Sequence, residues 1–177
     1  MNPFKHIHPL AAALAFSFAL GACAESPQET ARDVAEAQRE RATEVAEAER
    51  ELKTTAAEAG ADVSRSAAEA EYALRDARLD PDVDAEALAE RHQEARESLA
   101  EAEAEAGESV AEAAYELAIA RAEGERKVAL ERCDGIQPEA QREACRANAE
   151  AAFEQAEARA TAALERAEGD AQSRRED

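Results

Sequence analysis

Tryptophan is absent from the 177-residue sequence, and the only methionine is the initiator. Aromatic residues amount to 3 %, so a thick core built on large side chains is excluded. The hydrophobic fraction of 45 % is mostly alanine. Alanine withdraws little surface from water, which rules out a mixed α/β or β domain of this length. Positive charge is also scarce: 21 Lys and Arg stand against 41 Asp and Glu, a net charge of −20, so nucleic acid is excluded as a partner. Only one histidine, His92, follows residue 8, and no Gly-rich phosphate loop, Walker pattern or H-E-x-x-H is present. What remains is a chain rich in Ala, Glu, Leu and Arg, the composition of long helices and coiled coils.

Residues 1–22 differ from everything after them. Lys5 supplies positive charge, and an uncharged run follows from Leu10 to Leu20. It is too short to span a bilayer and suits the hydrophobic region of a signal peptide. The run ends in Leu20-Gly21-Ala22-Cys23, which resembles the bacterial lipobox. That resemblance implies a diacylglyceryl group on the Cys23 sulfur, cleavage after Ala22 and acylation of the new amino group, with residues 23–26 as lipidated terminus and short linker. Two or more acyl chains give stable anchoring. The other reading is an ordinary secretory signal cut near Ala22, with Cys23 an incidental thiol. Ala24 stands where an aspartate would resemble an inner-membrane retention signal, which favours the outer membrane. With lipid on Cys23, the odd cysteine count leaves an even pair, Cys133 and Cys145, in a compartment that permits disulfides.

The mature chain reads as an all-α elongated domain over 27–170, either an antiparallel helical hairpin or a three-helix coiled-coil-like rod, followed by a polar tail over 171–177. After the signal, prolines fall only at Pro27, Pro81 and Pro138, each beside helix punctuation. Ser26-Pro27-Gln28-Glu29 reads as a capping box with proline in the first turn. Asp80-Pro81-Asp82 reads as a stop and restart, and Gly135 with Pro138 separates a second helix from a third. Helices are expected over about 27–79, 83–133 and 138–170. At Pro81 a kinked continuous helix is the alternative to a turn.

Large apolar residues recur with a definite period. Val34, Val45, Leu52, Val63 and Leu74 are spaced by 11, 7, 11 and 11; Leu88, Leu99, Val110, Leu117 and Val128 by 11, 11, 7 and 11; Phe153 and Leu164 by 11. Eleven residues make three turns, so these side chains form one narrow stripe per helix. The positions between them on that face are largely alanine, which lets helices approach closely. The stripe keeps phase across Gly60, Gly107 and Gly124, so helix is expected to continue through them. So thin a stripe cannot hold an isolated helix and must pair with itself or a partner. Like-charged pairs such as Glu101 with Glu105 and Glu112 with Glu116 oppose folding, so helicity is expected to rise with salt, divalent cations or mild acid.

Cys133 and Cys145 flank the second turn. A disulfide between them needs the loop to fold back or a helix to end early; two free thiols are the alternative. Around them, Tyr115-Glu116-Leu117-Ala118, Lys127-Val128-Ala129, Cys133-Asp134, Gly135 and Arg142-Glu143-Ala144-Cys145 with Ala147 and Ala149 resemble a pattern in small exported Ala-rich proteobacterial envelope proteins. The resemblance covers roughly residues 115–165, and this chain is more acidic than that pattern. It implies an envelope location and a disulfide-closed helical hairpin, and it carries no activity.

No catalytic residue, metal ligand, cofactor or small-molecule substrate is expected. His92 sits beside Gln93 and Glu94 without an orienting pocket, and alanine stripes do not make pockets. Tyr72, Tyr115 and Phe153 read as anchors on a stripe edge. The expected function is a lipid-anchored periplasmic structural or interaction protein, with the membrane as partner through its acyl chains and self-association or an envelope helix as the protein partner. It resembles the major murein lipoprotein in kind, but Arg174-Arg175-Glu176-Asp177 offers no terminal lysine for attachment to peptidoglycan. Two other readings stand beside it: a stress-protective acidic helix resembling late-embryogenesis-abundant proteins, and a hairpin that binds a partner through its cysteine-closed turn.

Overall fold

The computed structural model describes residues 26–176. The expected signal segment, residues 1–22, and Cys23 lie outside the described residues. Three helices account for nearly all of the rest: α1 Pro27–Leu79, α2 Ala85–Asp134 and α3 Glu139–Glu176. At 1.5 Å per residue they are about 80, 75 and 57 Å long. The fold is all-α, and no strand occurs among the described residues.

The helix ends follow from local chemistry. Glu29 N donates to Ser26 Oγ at 3.3 Å, and the Glu29 carboxylate accepts from Ser26 N at 3.0 Å, closing the capping box. The backbone N–H of Ser26 holds the Glu29 carboxyl below its ordinary range. At the other end of α1 the chain turns rather than kinks. Asp80 Oδ1 accepts from Asp82 N at 2.9 Å, and Asp84 Oδ1 accepts from Glu86 N and Ala87 N at 3.1 and 2.9 Å. Asp84 is therefore the cap, and α2 starts at Ala85, two residues later than its sequence suggests. α3 departs further from expectation, because the supposed polar tail is helical to Glu176. Ala171 is completely buried and Arg175 is tied to α2, so the last two turns of α3 have a surface to rest on.

α2 is central. α1 packs along one side of it and α3 along the other, and no Cα of α1 comes within 8 Å of one of α3. The chain is thus an open slab one helix thick, not a closed bundle. α1 and α2 are antiparallel and in unbroken register: a Cβ on Gly135 would meet Thr30 Cγ2 at 3.0 Å, and one on Gly124 would meet Arg41 Cβ at 2.8 Å. Eleven residues up α1 thus match eleven residues back along α2. This register sets small residues opposite large ones, with Ala37 across from Val128, Ala48 across from Leu117 and Leu52 across from Ala113. Glycine is required at 124 because any side chain there would displace Arg41 from the seam.

All twelve residues of the expected stripe are withdrawn from solvent to some degree. Leu117 and Val128 are buried; Val34, Val45, Leu52, Val63, Leu74, Leu88, Leu99, Val110, Phe153 and Leu164 are half-buried. The deepest positions are nevertheless small residues: Ala37 is 2 % exposed, and Ala104, Cys133 and Ala171 are fully enclosed. Large side chains flank the seams and alanines form their floor. On α3 the floor repeats every eleven residues, at Ala149, Ala160 and Ala171.

Candidate interaction surfaces

The end of the slab that carries the α2–α3 turn also carries the start of α1. Cys133, in the last turn of α2, is bonded to Cys145, in the second turn of α3, with Cα atoms 5.6 Å apart. Neither helix ends early; the 135–138 loop overshoots the end of α2 and folds back. Closing so short a loop contributes about 3 kcal/mol. Ion pairs reinforce this base. Arg146 pairs with Asp134, which raises the affinity of its guanidinium for its proton. Arg126 stacks over the Phe153 ring at 5.1 Å while its Nε lies 2.7 Å from Glu150 Oε2, a charge pairing off the N–H axis.

A second clamp closes the far end of α3. Arg175 Nη1 and Nη2 donate to the two carboxylate oxygens of Glu108 at 2.6 and 2.8 Å, and its Nε donates to Glu101 at 3.0 Å. The bidentate geometry holds the Glu108 carboxyl below its ordinary range. On the α1 side, Lys127 pairs with Glu40, Arg41 with Glu125 at 2.7 Å and Arg121 with Glu49 at 2.7 Å. The Glu40 carboxylate raises the Lys127 ammonium above its usual range.

The eleven-residue period that builds the seams also sorts charge between the two broad faces. Glu36, Glu47, Glu58 and Glu69 of α1 form one row, and Glu90, Glu101, Glu112 and Glu123 of α2 another. Both rows point to the same face. Grooves on that face are lined by Asp33, Glu36, Glu40 and Lys127, by Glu58, Asp62 and Glu105, and by Glu108, Glu112, Glu165 and Glu168 beside Arg175. The opposite face has another chemistry. One groove there, of about 470 Å³, holds Leu74, Leu99 and alanines rimmed by Arg75, Arg78, Arg96 and His92 with Glu71 as its one carboxylate; a second holds Phe153 among Ala122, Ala149 and Ala152, with Glu125 and Arg126 beside them. The grooves lined by several carboxylates therefore lie on one side of the slab.

His92 Nε2 lies 3.3 Å from Arg78 Nη2 on the opposite face, away from the carboxylate rows. Tyr115 is half-buried beside the α2–α3 seam. Tyr72 and Leu79, each 73 % exposed, stand toward the distal turn. Among the described residues no group of three or more His, Cys, Asp or Glu converges as a metal site, and no helix is long and apolar enough to cross a membrane. Sequence reasoning missed Arg175, read as tail, and the second face of α2. Ala104, Ala122 and Cys133 carried that signal, being spaced for a track of their own. No family model, curated protein or solved structure matches the chain.

Proposed function

We propose that the chain is a lipid-anchored stalk of the bacterial envelope, fastened through Cys23 to the outer membrane and extending into the periplasm, with an architectural rather than catalytic role. One observation carries the reading. The first turn of α1, which begins four residues beyond Cys23, shares an end with the disulfide-closed turn, while the Pro81 turn stands about 80 Å away. A chain gripped at its N-terminus therefore has its reinforced end at the membrane. The exposed Tyr72 and Leu79 then lie on the distal arm, where an envelope partner is met. Ala24 after the lipidated cysteine supports the outer membrane over the inner one.

Mass spectrometry of the chain from a bacterial membrane fraction tests this directly. The expected product starts at Cys23, carries acyl groups on its sulfur and amino nitrogen, and contains an oxidised Cys133–Cys145 pair. A product cut near Ala22 with an unmodified Cys23 thiol overturns the anchor. Circular dichroism in dilute buffer separates the stalk from a stress-protective chain that is helical only when crowded: the stalk is helical at low concentration.

A further inference from the structure

Among the described residues the two outer edges of the slab face no other helix, because α1 and α3 lie on opposite sides of α2 and do not meet. They differ in charge. Along the outer edge of α1 runs an eleven-residue track of small side chains, Ala35, Ala46, Ala57 and Ala68, flanked on the acidic-face side by Arg39 and Arg50. Along the outer edge of α3 runs Ala147, Ala158 and Gly169, flanked on the same side by Glu143, Glu154 and Glu165. Arg39, Arg50, Glu154 and Glu165 are exposed, and none has an ion-pair partner among the described residues.

Their heights along the slab also correspond. Arg126 of α2 stacks on Phe153, and the adjacent Glu125 pairs with Arg41, so Glu154 stands at about the level of Arg41. It is therefore within about 3 Å in height of Arg39, and eleven residues on Glu165 is equally close in height to Arg50. The tracks Ala147, Ala158, Gly169 and Ala35, Ala46, Ala57 fall level to the same tolerance. These are the ingredients of the α2–α3 seam: a floor of small residues eleven apart with pairs of opposite charge beside it.

We infer that the partner of each edge is a second copy of this chain. The α3 edge of one copy docks against the α1 edge of the next, with Glu154 meeting Arg39 and Glu165 meeting Arg50. Simple sideways translation brings the edges together, keeps the acidic faces on one side and points all copies the same way. The interface is head-to-tail, so it propagates into a row instead of stopping at a dimer.

A charge-swap experiment on the full chain in nonionic detergent tests this, with sedimentation velocity as the readout. The wild type is expected to form species larger than a monomer, their size rising with protein concentration and falling with salt. The R39E/R50E and E154R/E165R double variants are each expected to associate about tenfold more weakly, with unchanged helicity by circular dichroism. An equimolar mixture of the two is expected to recover association, because each then offers the charge the other lacks. A monomeric wild type, variants that associate as the wild type does, or a mixture that stays dissociated overturns the inference. So does an effect of the α1 variant without one from the α3 variant, which means that α1 edges pair with each other.

Discussion

The base of the slab and its distal arm are built from the same residues and differ in how much they bury. From Gly60 to Glu103, through the end of α1, the turn and the start of α2, no residue is buried. From Ala104 to Cys133, where α2 has a helix on both sides, seven residues are. Both regions have the alanine-floored seam between α1 and α2, and in the base that seam buries Ala37 of α1 and Ala113, Leu117, Gly124 and Val128 of α2. α3 adds a second seam there, which buries Ala104, Ala122 and Cys133 of α2 and Ala149, Ala160 and Ala171 of α3. In the base α2 is therefore enclosed from two sides, whereas in the arm each helix has one neighbour. Stability is thus expected to be graded along the molecule, highest beside the disulfide and lowest at the turn.

Four perturbations sharpen or break this contrast. The largest effect is expected from reducing Cys133–Cys145 or replacing both cysteines with serine, which costs about 3 kcal/mol. The loss should appear as faster amide exchange in α3 and in 104–133, with the arm unchanged; equal loss in the arm would mean that the regions are not separable. Next comes Gly124→Ala. The new methyl group falls against Arg41 Cβ, and the overpacking of about 1–3 kcal/mol outweighs the gain in helix propensity, so the melting temperature drops. Gly60→Ala is its counterpart in the arm, where a Cβ meets nothing within 4 Å, and should raise stability by up to about 1 kcal/mol. If the two substitutions shift melting in the same direction, the close approach at Gly124 is not a constraint.

The smallest effect is expected from Glu108→Gln, and it depends on pH. Arg175 depresses the Glu108 carboxyl in the fold, so its contribution is complete above the ordinary carboxylate range and is lost as pH falls through the depressed value. At pH 7 the variant should exchange amides faster than wild type over the last two turns of α3, and the difference should vanish in acid. A difference that persists there assigns the effect to packing.

Much of this fold was legible in the residues. Ser26 with Glu29, Asp80-Pro81 and Gly135 marked the helix limits to within two residues at all but one end, and the period of eleven located the α1–α2 seam. The exception is instructive. Residues 171–176 looked like tail because arginine and glutamate at a C-terminus resemble solvated ends, whereas Ala171 and Arg175 continue the phase of Ala149 and Ala160. Hairpin and three-helix rod could not be distinguished from the large residues alone. Each helix appeared to have one stripe, but α2 has two, and the second is floored by Ala104, Ala122 and Cys133, residues too small to register as a hydrophobic signal. The disulfide pair was visible in the cysteine count; the loop geometry that brings the two together was not.

Residue-resolved amide hydrogen exchange of the oxidised chain tests the central contrast most directly. The graded slab predicts that α2 amides within 104–133 exchange at least tenfold more slowly than those within 88–100, a gap of about 1.4 kcal/mol in opening free energy. Uniform protection along α2, or faster exchange beside the disulfide than near the distal turn, would contradict it.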